Sequence, residues 1–439
     1  MNNKYELIFK HFSKSLSNLS TESIGLAVSG GGDSLALLLA ASKWASDFNL
    51  EVKVATVDHC LRPESFHEAM FVKKICSNLS FSHTILSWDK PKHIKNTQSA
   101  ARMARLGLLA KWAKNEKLST ILLGHSADDQ AETILMNFIR GSGLEGLQGM
   151  PSRFNHEGVN FYRPFLSVKR SELREYLKDH SWKWVEDPTN SDTRYQRVRV
   201  RKLFTELMSL GLSLDRIILT GERMRLASKL ARNVSVDKLI GCLKINEWGE
   251  AQLLIKNFIT LELETQLRIL SSIIGGLQGS PYRPKYKFVR SLLEKMHFCD
   301  GNLCITKSGL KISRSGAYLV FQREINAIPK IMELETCDRV DDTTTRSERQ
   351  FIWDGRWIIS VDEKLLSGSL EIGSLTDKSE LKRLRKNVSD MKYYTAAALP
   401  AIFKNNKILA MPGLVQNESI RFETAHSEQT FLKRLEIGH

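Results

Sequence analysis

The sequence predicts an α/β fold: a parallel-sheet domain, then a mainly helical middle region and a small α+β region toward the C-terminal end. Three observations predict it. Residues 24–39 read I-G-L-A-V-S-G-G-G-D-S-L-A-L-L-L, an apolar run broken by a glycine turn and resumed as a second apolar run. Strand-like and helix-like patterns then alternate through residue 149, the spacing of βαβ units. From residue 203 the apolar periodicity is helical, and short runs bounded by glycines follow at 303–322 and after 351.

Taken in order, residues 1–22 predict an amphipathic helix, with Leu7, Ile8, Phe12 and Leu16 near helical spacing. Residues 24–28 are a buried strand, 29–34 a tight turn, and 35–41 open a helix. Residues 52–58 (V-K-V-A-T-V-D) form a second strand that runs into H-C-L-R-P. A helix over 64–79 and a third strand over 81–88 follow. The helix over 98–114 carries A-A-R-M-A-R, and the fourth strand, 120–124, ends in G-H-S-A-D-D. A helix over 130–140 and a glycine-rich turn over 141–149 close this part. R-P-F-L (163–166) leads to a charged helix at 169–180, then to the acidic turn segment W-V-E-D-P-T-N (184–190). Residues 194–202, R-Y-Q-R-V-R-V-R-K, are densely basic. Helical patterns continue over 203–257 and on to 277. A polar linker is expected at 337–349, and beyond it a basic helix at 379–386 and a strand-turn pattern at 401–413. The expected domains are 1–205, 206–336 and 350–439, in keeping with about three domains for 439 residues.

Composition narrows the class. Hydrophobic content of 42% and charged content of 26% are ordinary for a globular chain. The net charge of +15 favours a polyanionic partner, nucleic acid or an acidic membrane surface, over a neutral one. No apolar stretch approaches the roughly 18 residues of a membrane span, and the N-terminal 20 residues lack the apolar core of a secretory signal. The six cysteines (60, 76, 242, 299, 304, 337) form no C-x-x-C, which argues against a structural zinc or iron–sulfur cluster and for a reducing, cytoplasmic setting.

The turn at Ser29, Gly30, Gly31, Gly32, Asp33 and Ser34 carries the chemistry. Glycines remove the Cβ atoms that keep an anion from backbone N–H groups. The following helix adds unpaired donors and a positive dipole end. Together they make a phosphate cradle. It is not a P-loop, since no G-x-x-x-x-G-K-[ST] is present, and no G-x-G-x-x-G with an acid about 20 residues on marks a dinucleotide site. The six residues match S-G-G-x-D-S, the signature of the ATP-pyrophosphatase (PP-loop) group, which holds the β,γ-pyrophosphate of ATP and reacts at the α-phosphorus. Parallel sheets bind ligands at the carboxyl ends of their strands. Asp33, Asp58, His59, Asp128 and Asp129 fall at that edge.

With S-G-G-G-D-S, V-D-H-C-L-R, Q-S-A-A-R-M-A-R, G-H-S-A-D-D-Q-A-E and E-D-P-T-N-S-D-T-R-Y, the chain resembles the tRNA(Ile)-lysidine synthases. The resemblance is close over the first 200 residues. It is weaker through S-P-Y-R-P-K-Y (280–286), W-D-G-R-W (353–357) and L-P-A-I-F-K-N-N-K-I-L-A-M-P-G-L (399–414), which suggest two further tRNA-binding domains. It implies a two-step ligation. ATP adenylates C2 of the wobble cytidine of a CAU-anticodon isoleucine tRNA, and the side-chain amine of free L-lysine then displaces AMP.

Under that resemblance each residue takes a role. Ser29 to Ser34 cradle the pyrophosphate, and Asp33 with Asp129 holds Mg²⁺. Asp128 caps the following helix. Glu132, with Asp129, grips the lysine ammonium or takes its proton, which an amine of pKa about 10.4 must lose before attack. Arg102 is favoured over Arg105 for the α-phosphate or the lysine carboxylate. Arg194, Arg197, Arg199, Arg201 and Lys202, with Tyr195 to stack, grip the anticodon stem-loop. His59 and His125 are left out of the chemistry. Three positions depart from the family pattern: Val198 stands where Asn is usual, Cys60 where Gly is commoner, and Leu106 where an aromatic is. The alternatives are a tRNA thiolase, a small-molecule synthetase of the same group, and an inactive tRNA-binding relative. The sequence leaves the oligomeric state open, a homodimer included.

Overall fold

The computed structural model describes residues 3–17, 19, 23–58, 64–88, 97–186, 192–194, 196–278, 283–298, 303–339, 348–388, 391–425, 429, 431–432 and 435. The chain forms two units, Met1–Leu226 and Ala227–His439.

The first unit runs α1 (Asn3–Ser15), β1 (Ser23–Ala27), α2 (Gly32–Phe48), β2 (Glu51–Asp58), α3 (Glu64–Asn78), β3 (Ser82–Ser87), α4 (Thr97–Asn115), β4 (Thr120–Leu123), α5 (Ala127–Ile139), α6 (Leu144–Leu147), β5 (Arg153–His156), β6 (Val159–Tyr162), α7 (Arg170–Asp179) and α8 (Gln196–Ser209). Helix α9 (Leu214–Ile240) spans the boundary. Its sheet has the order β3-β2-β1-β4-β6-β5. All neighbours are parallel except β5, which is antiparallel to β6.

Successive residues of β1 serve opposite faces. Ile24 and Leu26 join Phe12, Leu38, Trp44, Phe165 and Tyr176 in one core. Ala27 joins Leu109, Trp112, Ile121 and Phe161 in the other. Burial on both faces is why this strand reads as an unbroken apolar run. In α2, Leu35, Leu37 and Leu38 are fully buried, each worth about 1.5–3 kcal/mol of transfer free energy. The helix ends where Asn49 turns left-handed (φ 50°) and donates its N–H to the Ala45 carbonyl. After β3 the chain crosses to the other side of β1, so the strand order reverses between β1 and β4. The crevice for a ligand opens at that reversal.

The structure adds elements to the expected pattern. The β5–β6 hairpin pairs with β4, buries Val159 and Phe161, and is closed by the Asn155 side chain, which accepts the Gly158 N–H and donates to the Asn160 side chain. The helix expected across 203–257 is interrupted by strands β7 (Leu243–Ile245) and β8 (Ala251–Leu254). Between them the Asn246 side-chain oxygen accepts from the N–H groups of Trp248 and Glu250, an Asx-type turn that competes with helix.

The second unit continues with α10 (Ile255–Ile259), α11 (Leu263–Leu277), α12 (Tyr286–Phe298), β9 (Cys304–Lys307), β10 (Leu310–Ser315) and β11 (Tyr318–Arg323). A five-stranded sheet, β7-β8-β11-β10-β9, packs with α11 and α12 around Leu253, Ile269, Ile273, Leu292 and Phe321. The rest comprises β12 (Met332–Glu333), β13 (Asp338–Arg339), β14 (Glu348–Trp353), β15 (Trp357–Asp362), β16 (Glu371–Ser374), α13 (Lys378–Leu384), α14 (Tyr393–Ala397), β17 (Pro400–Lys404), β18 (Lys407–Ala410) and β19 (Ile420–Thr424). Two four-stranded sheets, β12-β16-β17-β18 and β13-β14-β15-β19, share a core that includes Trp353, Trp357, Ile372 and Ile402. Most of the expected linker, residues 340–347, lies outside the described residues. Among the described residues no helix is long and apolar enough to cross a membrane.

Candidate active site

At the reversal a cleft of about 490 Å³ opens over the glycine turn. Its lining includes Ser29, Gly31, Gly32, Asp33 and Ser34 from the turn, with Gly124, His125 and Asp129 beyond β4. Gly30 makes the turn, with φ +88°, a conformation L side chains rarely adopt. Gly31 caps α2 in an extended conformation with no side-chain hydrogen bond, so the first-turn N–H groups are left without a side-chain acceptor. Ser34 staples the turn from within. Its hydroxyl accepts from the Ser29 N–H (3.1 Å), donates to the Gly31 carbonyl (2.9 Å) and lies 3.2 Å from the Ser29 hydroxyl. The Val185 N–H donates to the Gly30 carbonyl (3.0 Å) and ties the 182–186 segment to the loop. Gly124 is required by close approach. A Cβ there would stand 2.8 Å from the Asp33 carbonyl oxygen and 2.9 Å from the Ser34 Cα.

Asp33, Asp129 and Glu132 meet at the ends of β1 and β4. The Ser126 hydroxyl lies 3.3 Å from Asp33 Oδ2 and 3.1 Å from Asp129 Oδ2, so it joins the two aspartates. Asp129 also accepts from the Ser126 N–H (2.9 Å), the return half of a capping box. The expected cap, Asp128, does something else. Ser126 occupies the N-cap of α5, and the Asp128 carboxylate accepts the backbone N–H of Arg170 at the start of α7 (2.7 Å). Among the described residues no group of three or more His, Cys, Asp or Glu side chains forms a metal cage. Asp33 and Asp129 present two hard oxygen donors, a set that would suit a Mg²⁺ ion with phosphate and water in the rest of its shell.

The three carboxylates are neutralised by arginines. Arg170 donates to Asp33 (Nε, 3.0 Å), to Asp129 (Nη2, 2.8 Å) and to Glu132 (Nη1, 3.5 Å). Arg197 bonds Asp129 (2.8 Å) and Glu132, and Arg201 bonds Glu132 (2.5 Å). The two aspartates are pushed apart electrostatically. Burial, opposed by Arg170 and helped by the neighbouring Asp129, raises the Asp33 pKa. Burial acts against the Asp129 charge as well, but Arg197, Arg170 and the Ser126 N–H outweigh it and hold its pKa below the usual value. Asp129 is thus the stable anion and Asp33 the one that welcomes a countercharge. Burial and the adjacent Arg163 push the His125 pKa down to about 3. Its neutral Nδ1 accepts from Arg163 Nε (3.3 Å).

The other expected residues are distributed as follows. Arg105 lines the cleft, whereas Arg102 is exposed and lies outside its lining. In α8 the i, i+4 pair Arg197 and Arg201 faces the carboxylates, while Val198 and Val200 are buried and Arg199 and Lys202 are exposed. Arg194 is exposed and paired with Asp192 (2.7 Å). Tyr195 and His59 lie outside the described residues. Sequence reasoning missed Arg170, Arg174, Trp184 and Glu68, which also line the cleft. Arg174 pairs with Glu186 (3.1 Å), and the Trp184 indole N–H donates to the same carboxylate (2.8 Å). One signal pointed to Arg170. A cation in the first turn of a helix opposes the helix dipole, so it needs acids close by.

Residues 2–207 match the family model described as a PP-loop domain. A tRNA(Ile)-lysidine synthase of Wolbachia pipientis wMel is 32% identical over 419 residues, covering 94% of this chain and 93% of that protein. The same-named protein of Ruegeria pomeroyi is 33% identical, covering 76% of each chain, and that of Rickettsia akari is 27% identical over 96% of each. With about a third of its residues identical across nearly the whole of a relative's length, and a glycine turn and carboxylate triad at the reversal of a parallel sheet, the chain belongs to the tRNA(Ile)-lysidine synthase family.

Proposed function

We propose that the protein is a carbon–nitrogen ligase that joins free L-lysine to C2 of the wobble cytidine (position 34) of the CAU-anticodon isoleucine tRNA. The reaction passes through an adenylated cytidine and releases pyrophosphate and AMP. The observation that carries this reading is the meeting of Asp33, Asp129 and Glu132 beside a glycine turn, with Asp33 and Asp129 lining the cleft and Glu132 buried next to them.

In the first step the N–H groups of the Gly31–Ser34 turn hold the β,γ-phosphates at the start of α2. Asp33 and Asp129 would hold Mg²⁺, which would supply charge neutralisation for the leaving pyrophosphate. Arg105, at the cleft wall, faces charge on the α-phosphate, with Arg102 close enough to add to the field. The cytidine O2 then bonds to the α-phosphorus, and pyrophosphate departs. In the second step Glu132 and Asp129 receive the lysine ammonium. One of these carboxylates accepts its proton, the freed amine bonds to C2, and the C2–O2 bond breaks to release AMP. Arg199, Lys202 and Arg194 meet the tRNA backbone from the exposed side of α8 and the segment before it. The part of the second unit built on the five-stranded sheet and the part built on the two four-stranded sheets are the further tRNA-binding domains, and the enzyme works in the cytoplasm.

The deciding assay combines purified protein, unmodified CAU tRNA, Mg-ATP and labelled lysine. Label should enter the tRNA only when ATP is present. No tRNA-dependent incorporation would overturn the reading. Asp33→Ala should abolish AMP release while tRNA binding persists. Equal loss of both would assign the turn a purely structural role.

A further inference from the structure

Arg170 has no role in the steps above, yet it is the side chain that ties the three carboxylates together. Its guanidinium reaches Asp33 from one strand end, and Asp129 and Glu132 from the other. Its own helix start is held separately. The Arg170 backbone N–H donates to Asp128, and the Lys169 N–H donates to Glu172 (2.8 Å). The anchor is therefore in the main chain, and the side chain can swing without moving α7.

Two charge arguments bear on what it does. Asp33 and Asp129 share one serine hydroxyl, so their oxygens stand close enough to repel. A cation placed between them relieves that repulsion while both stay charged. Arg170 fills that need when no divalent cation is bound, since its Nε and Nη2 take one oxygen from each aspartate. Second, the same helix presents Arg174 one turn on, and the Arg174 Cγ would lie 3.8 Å from a Cβ at Gly32. The arginines of α7 therefore flank the phosphate turn. A guanidinium released from the aspartates finds polyphosphate oxygens as its nearest replacement, in a fork geometry suited to them.

We propose that Arg170 is an internal counter-cation. It holds the position between Asp33 and Asp129 in the free protein, yields it to the divalent cation that arrives with ATP, and then pairs with the pyrophosphate oxygens. This rests on the placement of the metal at Asp33 and Asp129 in the proposed reaction. It makes Arg170 a positioning residue in the free enzyme and a phosphate ligand in the loaded one. The arrangement also keeps the acids from capturing a metal ion without its nucleotide.

The test is a Mn²⁺ titration of the full chain without nucleotide, read by the electron paramagnetic resonance signal of free Mn²⁺. Arg170→Met removes the charge at similar length. It should bind Mn²⁺ at least about tenfold more tightly than wild type, since a competing internal cation is gone. Its affinity for Mg-pyrophosphate should fall about tenfold, for loss of a charge-assisted pair. Adding Asp33→Asn to Arg170→Met should erase the gain in Mn²⁺ affinity. Unchanged Mn²⁺ affinity in Arg170→Met overturns the counter-cation. A gain that survives Asp33→Asn overturns the metal placement instead. If Arg170→Met does not fold, Arg170→Gln removes the charge while keeping a hydrogen-bond donor. Mn²⁺ affinity equal to wild type in that folded variant would also overturn the proposal. Lysine incorporation by wild type is scored separately, so failure of the ligase reading is distinguishable from either result.

Discussion

Two glycines of the cleft should respond to the same substitution in opposite ways. Gly124→Ala places a methyl 2.8 Å from the Asp33 carbonyl oxygen and 2.9 Å from the Ser34 Cα. Both neighbours are main chain, so neither can rotate away, and β4 and the first turn of α2 must separate. Overpacking of this kind costs about 1–3 kcal/mol, or roughly 2–4 °C in Tm per kcal/mol for a unit of this size. The shift also moves Asp33 relative to Asp129, so nucleotide binding should fall with stability. Gly31→Ala is the counterpart. Gly31 has φ −73° and ψ 160°, which alanine adopts freely, and the nearest atom to an added Cβ is the Ser29 hydroxyl at 3.8 Å. Restricting the unfolded chain there stabilises by about 0.4–1 kcal/mol, yet the methyl narrows the phosphate cradle. Thermal unfolding and ATP binding by calorimetry read both variants. Gly124→Ala should lose stability and ATP together, and Gly31→Ala should lose ATP alone. An unchanged Tm in Gly124→Ala, or a Gly31→Ala that binds ATP like wild type, would refute the reasoning.

Three further outcomes follow from the site. Glu132→Gln removes the charge that would face the lysine ammonium and should raise the KM for lysine ~10–100-fold, the worth of a charged hydrogen bond, with the KM for ATP little changed. A KM shift confined to ATP would show that Glu132 serves the nucleotide. The double exchange Arg199→Ala with Lys202→Ala should weaken tRNA binding and reduce the slope of log affinity against log salt by about 2; an unaltered slope would exclude phosphate contacts at these positions. Burial and Arg163 keep His125 neutral down to about pH 3, whereas the unfolded chain protonates it near 6.5. As pH falls below that value the unfolded state binds the extra proton, and the fold loses ~1.4 kcal/mol per unit until His125 itself protonates. His125→Gln should flatten urea-unfolding stability between about pH 6 and about pH 4, and equal slopes would rule out a buried neutral histidine.

Much of the first unit was legible because its signals are local. A strand, a glycine turn and a helix follow one another within residues 24–39, and the sterics that impose them act over a few residues. The three-residue spacing of Asp129 and Glu132 sets both on one face of any helix that starts before them. The β7–β8 hairpin was hidden because one asparagine side chain redirects a helical pattern. Its strands are short enough that periodicity cannot separate them from helix.

By itself the sequence determined the phosphate turn, the acids at the strand ends and the family. It also showed that the 194–202 segment is basic, but not which of its charges face inward. The tertiary structure decided that Arg197 and Arg201 turn to the carboxylates while Arg199 and Lys202 turn to solvent, because burial of Val198 and Val200 sets the rotation of α8. It alone brought Arg170 to Asp33 across 137 positions of chain. A salt bridge of that span is written in no local pattern. It exists because α7 packs on α2 through Leu173, Tyr176 and Leu177, and apolar burial there carries the guanidinium to the acids.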